Sequence, residues 1–149
     1  MPDIFSKDKR SMVMSAVKHK NTLPELIIQS LIRDMGIDYE REMRVFNSRP
    51  DIVIPDMKKV FFINGCFWHG HICRRGKLPS SNTQYWENKI TKTKERDKRN
   101  YADLKSNGWK YLVIWECEIK KKEMDILINK IALFLGINRI ITEDYTSKK

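Results

Sequence analysis

Hydrophobic residues recur along the chain with two periods, one typical of helices and the other of strands. Apolar positions three and four apart over residues 24–35 predict an amphipathic helix, and Thr22 and Glu25 form a capping box at its start. Two short apolar runs at 51–54 and 59–63 predict a pair of strands joined by a tight turn. The other predicted elements are a helix over about 6–19, a strand near 37–41, a long charged helix over 84–106, a buried strand over 111–115 and a last helix over 122–135. Because strands and helices interleave, the pattern predicts an α/β domain with a mixed central sheet flanked by helices.

The length of 149 residues predicts one domain that spans residues 1–149 without a linker. The polar tail at 142–149 is expected to be disordered. No apolar run is long enough to cross a membrane, and the N-terminus lacks the apolar core of a secretion signal. We therefore expect a cytoplasmic protein with no membrane partner.

The chain is strongly basic, with a formal net charge of +10 and a pI of about 9.6. Its lysines and arginines concentrate near residues 7–20, 89–99 and 120–122. Lysine is exposed in most proteins, so these clusters could form an ordinary solvated surface. An excess of this size instead favours a polyanionic partner, and nucleic acid is favoured over an acidic membrane because no helix combines basic residues with a broad aromatic face.

Three cysteines and two histidines form the densest group of potential metal ligands in the sequence. They are Cys66, His69, His71, Cys73 and, far downstream, Cys117. Three thiolates and one imidazole make a closed tetrahedral site, so the pattern predicts a structural zinc ion held by the cysteines and one of the two histidines. The other histidine would then be free to act as a general acid or base. The alternative is three reduced cysteines buried in a core without a metal.

Asp51 lies at the open end of the predicted strand pair, where the turn would place it opposite Phe62 or Ile63. A carboxylate in that position can bind a hard cation such as Mg²⁺. Pro50 and Asp51 before an apolar strand also form the opening of the PD-(D/E)xK nuclease pattern. The second half of that pattern is missing, since residues 62–64 stand where a carboxylate and a lysine would follow.

Two further carboxylates lie on the apolar stripes of predicted helices. Asp97 is seven residues from both Ile90 and Leu104, so it faces the core side of the long helix. A charge in that position requires either an ion-pair partner or a role in the active site, such as holding a catalytic group or a metal-bound water. The capping box explains Glu25 fully, although its place at the edge of the stripe would allow it to serve both purposes.

Large aromatic residues lie among the predicted metal ligands and at the start of the long helix. Phe67 and Trp68 stand between Cys66 and His69, and Trp86 opens the helix. Aromatic side chains usually belong to the core, but a loop tied tightly around a metal cannot easily bury two of them. Exposed aromatic residues amid basic ones can instead wedge between base pairs and unstack them.

The segment from Asn64 to Cys73, with Arg49-Pro50-Asp51 upstream and Trp115-Glu116-Cys117 downstream, resembles the very short patch repair (Vsr) DNA mismatch endonucleases. The resemblance covers roughly residues 7–135. It implies a restriction-endonuclease-like fold and an enzyme that nicks duplex DNA 5′ to the thymine of a T:G mismatch left by deamination of 5-methylcytosine. It also implies a functional link to a DNA cytosine-5 methyltransferase, action at the nucleoid, and a monomer that grips DNA with an N-terminal helix at 1–20.

The resemblance assigns a role to each candidate site residue. Asp51 and the backbone carbonyl of Ile63 would bind Mg²⁺, His69 would act at the scissile phosphate, and Asp97 and Glu25 would hold metal-bound waters or orient catalytic groups. The zinc ligands would be Cys66, His71, Cys73 and Cys117, and the intercalating side chains would be Phe67, Trp68 and Trp86. Asn64 stands where some members have histidine, and an amide can hydrogen-bond a water or phosphate but cannot exchange protons near pH 7.

Two rival functions remain open at this point. A restriction-type endonuclease would cut undamaged sites, and equal nicking of T:G and T:A duplexes would favour it. A zinc-containing DNA-binding module without catalysis would be favoured by an absence of nicking in the presence of Mg²⁺. A zinc nucleobase deaminase is disfavoured, because the loop lacks the His-x-Glu and Cys-x-x-Cys pairs of that class.

Overall fold

A three-stranded sheet forms the centre of the fold in the computed structural model, which describes residues 22–137. The strands are β1 (Ile52–Ile54), β2 (Lys59–Asn64) and β3 (Lys110–Trp115), in that order across the sheet. β1 and β2 pair antiparallel, and β2 and β3 pair parallel. The predicted mixed sheet is therefore confirmed, and both parallel strands end at the same edge.

Helices cover both faces of the sheet. They are α1 (Leu23–Asp34), α2 (Thr83–Ser106) and α3 (Met124–Leu135). Alternate residues of the strands point to opposite faces. On one face, Ile52, Phe61 and Ile114 pack with the apolar stripes of α1 and α3. On the other, Val53 and Val60 pack with Leu104 of α2, so the strands are buried on both sides, as is usual for a sheet between helices.

Within residues 22–137, the predicted helices and strands have nearly the bounds that the pattern gave, apart from one strand and the start of the last helix. The strand predicted near 37–41 is wrong. Only Glu40 pairs with the sheet, exchanging two backbone hydrogen bonds of 2.7 and 2.9 Å with Val53. The chain then turns, with Glu42 at φ +58°, so pairing does not extend.

The start of the last helix also differs, because residues Lys121–Glu123 form a 3₁₀ turn before α3 begins. The helix expected at 6–19 within the DNA-gripping segment 1–20, and the tail at 142–149, lie outside the described residues. Within residues 22–137, none of the helices combines the length and apolar composition that a membrane crossing requires.

Candidate active site

The open end of the β1–β2 pair holds the first carboxylate of the site. Ile52 pairs with Phe61, so Asp51 lies opposite Phe62, as predicted. Its Oδ2 atom accepts a 2.7 Å hydrogen bond from the backbone N–H of Ile63. The Asp51 carboxylate is thereby fixed against the main chain of Ile63, at the point where β2 leads into the loop of potential metal ligands.

Asp51 has a second carboxyl group beside it. Glu25, in the first turn of α1, lies close enough to Asp51 to raise its pKa. Burial raises the pKa of Asp51 to about 7, because it outweighs the lowering by the Ile63 N–H, and the neighbouring Glu25 adds a further rise. Two neighbouring carboxylates in a buried place require either a shared proton or a cation between them. The oxygen donors therefore fit a hard divalent cation.

A histidine and a carboxylate form a close pair across the site from Asp51. His69 Nδ1 lies 2.5 Å from Asp97 Oδ2, and both side chains are largely buried. Arg96 is the other charged neighbour of Asp97, but its Nη2 atom is 3.8 Å from Oδ1 and its side chain is mostly exposed. His69 is thus the main partner of this carboxylate, and the pairing leaves the His69 Nε2 atom available to a substrate.

The Asp51 carboxylate and the His69–Asp97 pair line one polar cavity of about 360 Å³. Ile63 and Asn64 also line it, so the structure brings these five predicted residues together. Glu25 joins them through its contact with Asp51. The predictions gave no role to the six other lining residues, which are Asn47, Ser48, Arg49, Phe62, Arg96 and Asn100. Sequence proximity was the available signal for three of them. Arg49 lies two residues before Asp51, while Arg96 directly precedes Asp97 and Asn100 follows it by three residues on α2.

Asn64 is buried at the end of β2 and has a specific partner. Its Nδ2 atom donates a 3.1 Å hydrogen bond to the hydroxyl of Tyr101 on α2. Burial raises the pKa of Tyr101 to about 12, so this hydroxyl stays protonated at neutral pH. The Tyr101 ring stacks on Tyr111 with centroids 4.5 Å apart. The Asn64 amide is therefore held by a neutral, well-packed group.

The predicted metal ligands form a separate cluster next to the cavity. The ligand atoms of Cys66, His71, Cys73 and Cys117 all lie within 4.8 Å of one another. The Cys117 Sγ and His71 Nδ1 atoms are 3.5 Å apart. A tetrahedral ion with bonds of about 2.0–2.3 Å places its ligand atoms roughly 3.5–3.8 Å apart, so the cluster could hold a metal ion.

The two histidines lie in different places, because His71 belongs to this cluster whereas His69 lines the cavity. Sheet register explains how Cys117 reaches the loop. Asn64 pairs with Trp115 at the ends of β2 and β3, so Cys66 and Cys117 each follow two residues later at the same edge. The Trp115 ring then stacks on His71 at 4.1 Å.

The thiols of the cluster differ in their protonation. Burial raises the pKa of Cys66 to about 12 and also raises that of Cys117. For Cys73 burial acts in the same direction, but hydrogen bonds from His71, Cys66 and nearby backbone N–H groups outweigh it and lower the pKa to about 6. Since metal ligation requires thiolates, binding of an ion would displace protons from the first two cysteines.

Two glycines allow the loop to fold this tightly. A Cβ atom on Gly76 would lie 1.9 Å from the carbonyl oxygen of His71. Gly70 has φ +64°, and a Cβ atom there would lie 2.6 Å from Ile90 Cγ2 on α2. Any side chain at either position would therefore push the loop away from its own backbone or from the helix.

The aromatic residues between the ligands meet the start of α2. Phe67 lies 5.1 Å from Trp68 and 5.2 Å from Trp86, measured between ring centroids, and all three contacts in the trio are edge-on. Trp68 is 45% exposed, and the ammonium of Lys89 lies 5.9 Å from the centroid of its ring. A partly exposed aromatic group beside a cation is thus available at the surface next to the cavity.

Comparison with known proteins places this site in a family. A sequence model described as "DNA mismatch endonuclease Vsr" matches residues 2–75. The DNA mismatch endonuclease Vsr of Escherichia coli is 36% identical over 123 residues, covering 83% of this chain and 79% of that protein. The Type II nicking enzyme V.NmeAIP of Neisseria meningitidis is 44% identical over 122 residues, covering 82% and 87%.

This chain belongs to the Vsr family. It is therefore an endonuclease of a DNA mismatch repair family, and DNA is its substrate. Enzymes of this family use a divalent cation, which agrees with the paired carboxylates of Asp51 and Glu25.

A solved structure supports the fold of this Vsr chain. The catalytic domain of the homing endonuclease I-Bth0305I superposes with a TM-score of 0.51, covering 74% of this chain and 91% of that domain at 21% identity. At this identity the likeness concerns the fold alone. The predicted nuclease fold, with a mixed sheet flanked by helices, is confirmed.

Proposed function

We propose that this chain nicks one strand of duplex DNA immediately 5′ to the thymine of a T:G mismatch produced by deamination of 5-methylcytosine. The observation that carries the proposal is the polar cavity in which the His69–Asp97 pair and the Asp51 carboxylate meet. The named activity of the Escherichia coli relative supports the choice of substrate.

His69 is the proposed catalytic residue. With its Nδ1 atom paired to Asp97, its Nε2 atom can exchange a proton with a group at the scissile phosphate. Asp97 acts as a positioning residue, because it fixes the ring and its negative charge stabilises the imidazolium that forms. Glu25 and Asn64 are proposed to orient water molecules and the phosphate around this pair.

Asp51 and the backbone carbonyl of Ile63 are the proposed ligands of Mg²⁺. When bound, Mg²⁺ would neutralise charge on the phosphate and favour deprotonation of the attacking water. The exposed guanidinium groups of Arg49 and Arg96 line the same cavity and would attract the DNA backbone to it.

We further propose that the cluster of Cys66, His71, Cys73 and Cys117 binds Zn²⁺ as a structural ion. The mixed thiolate and imidazole ligand set and the short separations between ligand atoms support zinc. The ion would hold the loop that carries His69, so its role in the reaction would be positional.

The aromatic trio of Phe67, Trp68 and Trp86 is the proposed wedge for mismatch recognition. A mispaired step costs less to unstack than a paired one, so insertion of these rings favours the mismatch energetically. Other elements of the proposal are a cytoplasmic monomer that acts at the nucleoid, a gripping role for residues 1–20, and a functional link to a DNA cytosine-5 methyltransferase.

Nicking of T:G and T:A duplexes that are otherwise identical tests this proposal. The expected result is strand-specific nicking of the T:G duplex that depends on added Mg²⁺, with little cleavage of the T:A duplex. Equal nicking of both would identify a restriction-type enzyme instead. An absence of nicking by a sample that still binds duplex DNA would indicate a binding module.

A further inference from the structure

A second cavity of about 340 Å³ lies beside the first. Both are lined by Asn64, His69 and Asp97, so the proposed catalytic pair forms a wall that the two cavities share. The first cavity is polar and contains the Asp51 carboxylate. A strand whose scissile phosphate occupied the first cavity would therefore bring an adjoining nucleotide to the second.

The chemistry of the second cavity differs from that of the first. Its lining is mainly aromatic and apolar, with Tyr101, Trp115 and Ile72. Two cations, Lys94 and Lys98, lie one helical turn apart on α2 and are exposed. An apolar space bordered by two ammonium groups suits a flat heterocycle that is attached to phosphates.

Ile72 is the most unusual member of this lining. It lies between the metal-ligand positions His71 and Cys73, and its side chain is 97% exposed. An isoleucine side chain that stays in water contributes no hydrophobic stabilisation to the folded state. A bound ligand would account for an isoleucine at this position, since a base in the cavity would cover its side chain.

We propose that this second cavity binds the nucleobase immediately 5′ of the nick, with Lys94 and Lys98 contacting the strand's phosphates. This inference rests on the proposed function. The aromatic trio lies near the start of α2, around Trp86, where it would occupy the mismatch side of the nick. The second cavity lies two to four turns further along α2, beside Asp97 and away from Trp86, so we assign it to the nucleotide on the other side of the nick. Its volume is at the small end of the range for ligand sites, about 300–1,000 Å³, and suits one nucleotide.

A substitution combined with a change in the DNA tests this placement. The protein variant is Ile72→Ala, which leaves folding unchanged because the side chain is exposed. The DNA variant is a T:G duplex in which the nucleotide 5′ of the nick is abasic. On the intact duplex, Ile72→Ala should reduce single-turnover nicking at subsaturating enzyme by about fivefold. On the abasic duplex it should have no effect, because the base that it contacts is gone.

Two comparisons complete the design. Leu133→Ala is the control, because it removes an apolar side chain that is 72% exposed on α3, far in the sequence from the cavity. This variant should nick both duplexes at the wild-type rate. Replacing Lys94 and Lys98 by alanine together should weaken binding to both duplexes, since phosphates are present in each. Equal losses for Ile72→Ala on the intact and abasic duplexes, or no loss on either, would overturn the inference. Failure of the wild type to prefer T:G over T:A would instead overturn the proposed function.

Discussion

At the scale of single residues, the main feature is that three carboxylates in one small region have different environments. Asp51 and Glu25 are neighbours, whereas Asp97 is paired with His69. The first two can accept a cation or a proton, and the third holds an imidazole ring. Substitutions that remove only the charge should therefore have different consequences at these positions.

Asp97→Asn should lower the rate of nicking at saturating DNA by about 10²-fold, within the usual range for loss of acid–base assistance, and leave DNA affinity nearly unchanged. The physical reason is that the amide keeps the shape of the side chain but cannot stabilise an imidazolium. Single-turnover kinetics with a DNA titration would separate the rate from the affinity. Glu95→Gln, an exposed change on the same helix, is the matched control and should match the wild type. A loss of affinity without a change in rate would contradict the positioning role.

Asp51→Asn should stabilise the protein when Mg²⁺ is withheld. The folded-state pKa of about 7 exceeds the ordinary value of 3.8, so between these pH values the unfolded chain loses a proton that the folded chain keeps. The stability contributed by this proton is full below pH 3.8 and is lost as pH rises through 7. Above that pH the buried carboxylate costs on the order of a few kcal/mol, which the amide avoids.

Thermal unfolding in Mg²⁺-free buffer would measure this effect. The Tm gain of Asp51→Asn should be larger at pH 8 than at pH 5.5, and added Mg²⁺ should raise the Tm of the wild type only. Asp56→Asn, in the exposed turn of the same strand pair, should show no such gain. An Asp51→Asn variant less stable than the wild type at pH 8 would contradict the view that the buried Asp51 carboxylate destabilises the protein.

At the scale of elements, the loop between β2 and α2 determines how the site is assembled. The loop carries three of the four clustered ligands together with His69, and it passes within contact distance of its own backbone at Gly76. Tight packing of this kind makes the loop sensitive to one added methyl group at some positions and tolerant at others.

Gly76→Ala should prevent the ligand cluster from closing, and Gly65→Ala should not. An added Cβ at position 76 meets a backbone oxygen at 1.9 Å, whereas at position 65 the nearest atom, on Trp68, is at an ordinary 3.5 Å. We expect Gly76→Ala to purify with less zinc and a lower Tm, similar to the wild type after chelation. Metal analysis and thermal unfolding of both variants provide the measurement. Full metal content in Gly76→Ala would show that the loop does not depend on this contact.

The sequence predicts most of these elements because their signals are local. Thr22 accepts a hydrogen bond from the Glu25 N–H at 3.4 Å, so the capping residue marks the start of α1 correctly. The error near 37–41 has a physical cause, because apolar residues there pack against the core while only Glu40 pairs with a strand. The contact between Glu25 and Asp51 could not be predicted, since it depends on how α1 docks against the sheet.

At the scale of the whole molecule, the positive charge determines the response to salt. The chain has a formal net charge of +10, and basic residues line both cavities. Each phosphate that the protein neutralises releases counterions from DNA, so affinity should fall steeply with salt.

The affinity for a T:G duplex should fall about 10³-fold or more between 50 and 200 mM salt if the protein contacts six or more phosphates. Replacing both Lys94 and Lys98 by alanine should reduce the slope of log K against log salt by about two, because two phosphate contacts are removed. Fluorescence anisotropy with labelled duplexes would measure both slopes. An affinity that does not change with salt would contradict a phosphate-binding surface of this kind.

Helix α2 carries both Trp86 and Asp97, eleven residues apart on one uninterrupted rod. At a rise of 1.5 Å per residue the two residues lie about 16 Å apart along the helix axis, and this separation is fixed as long as the helix stays intact. If the tryptophan marks the lesion and the aspartate orients the cutting group, the helix works as a gauge. Every product strand would then end at one fixed offset from the damaged base, whatever the surrounding sequence.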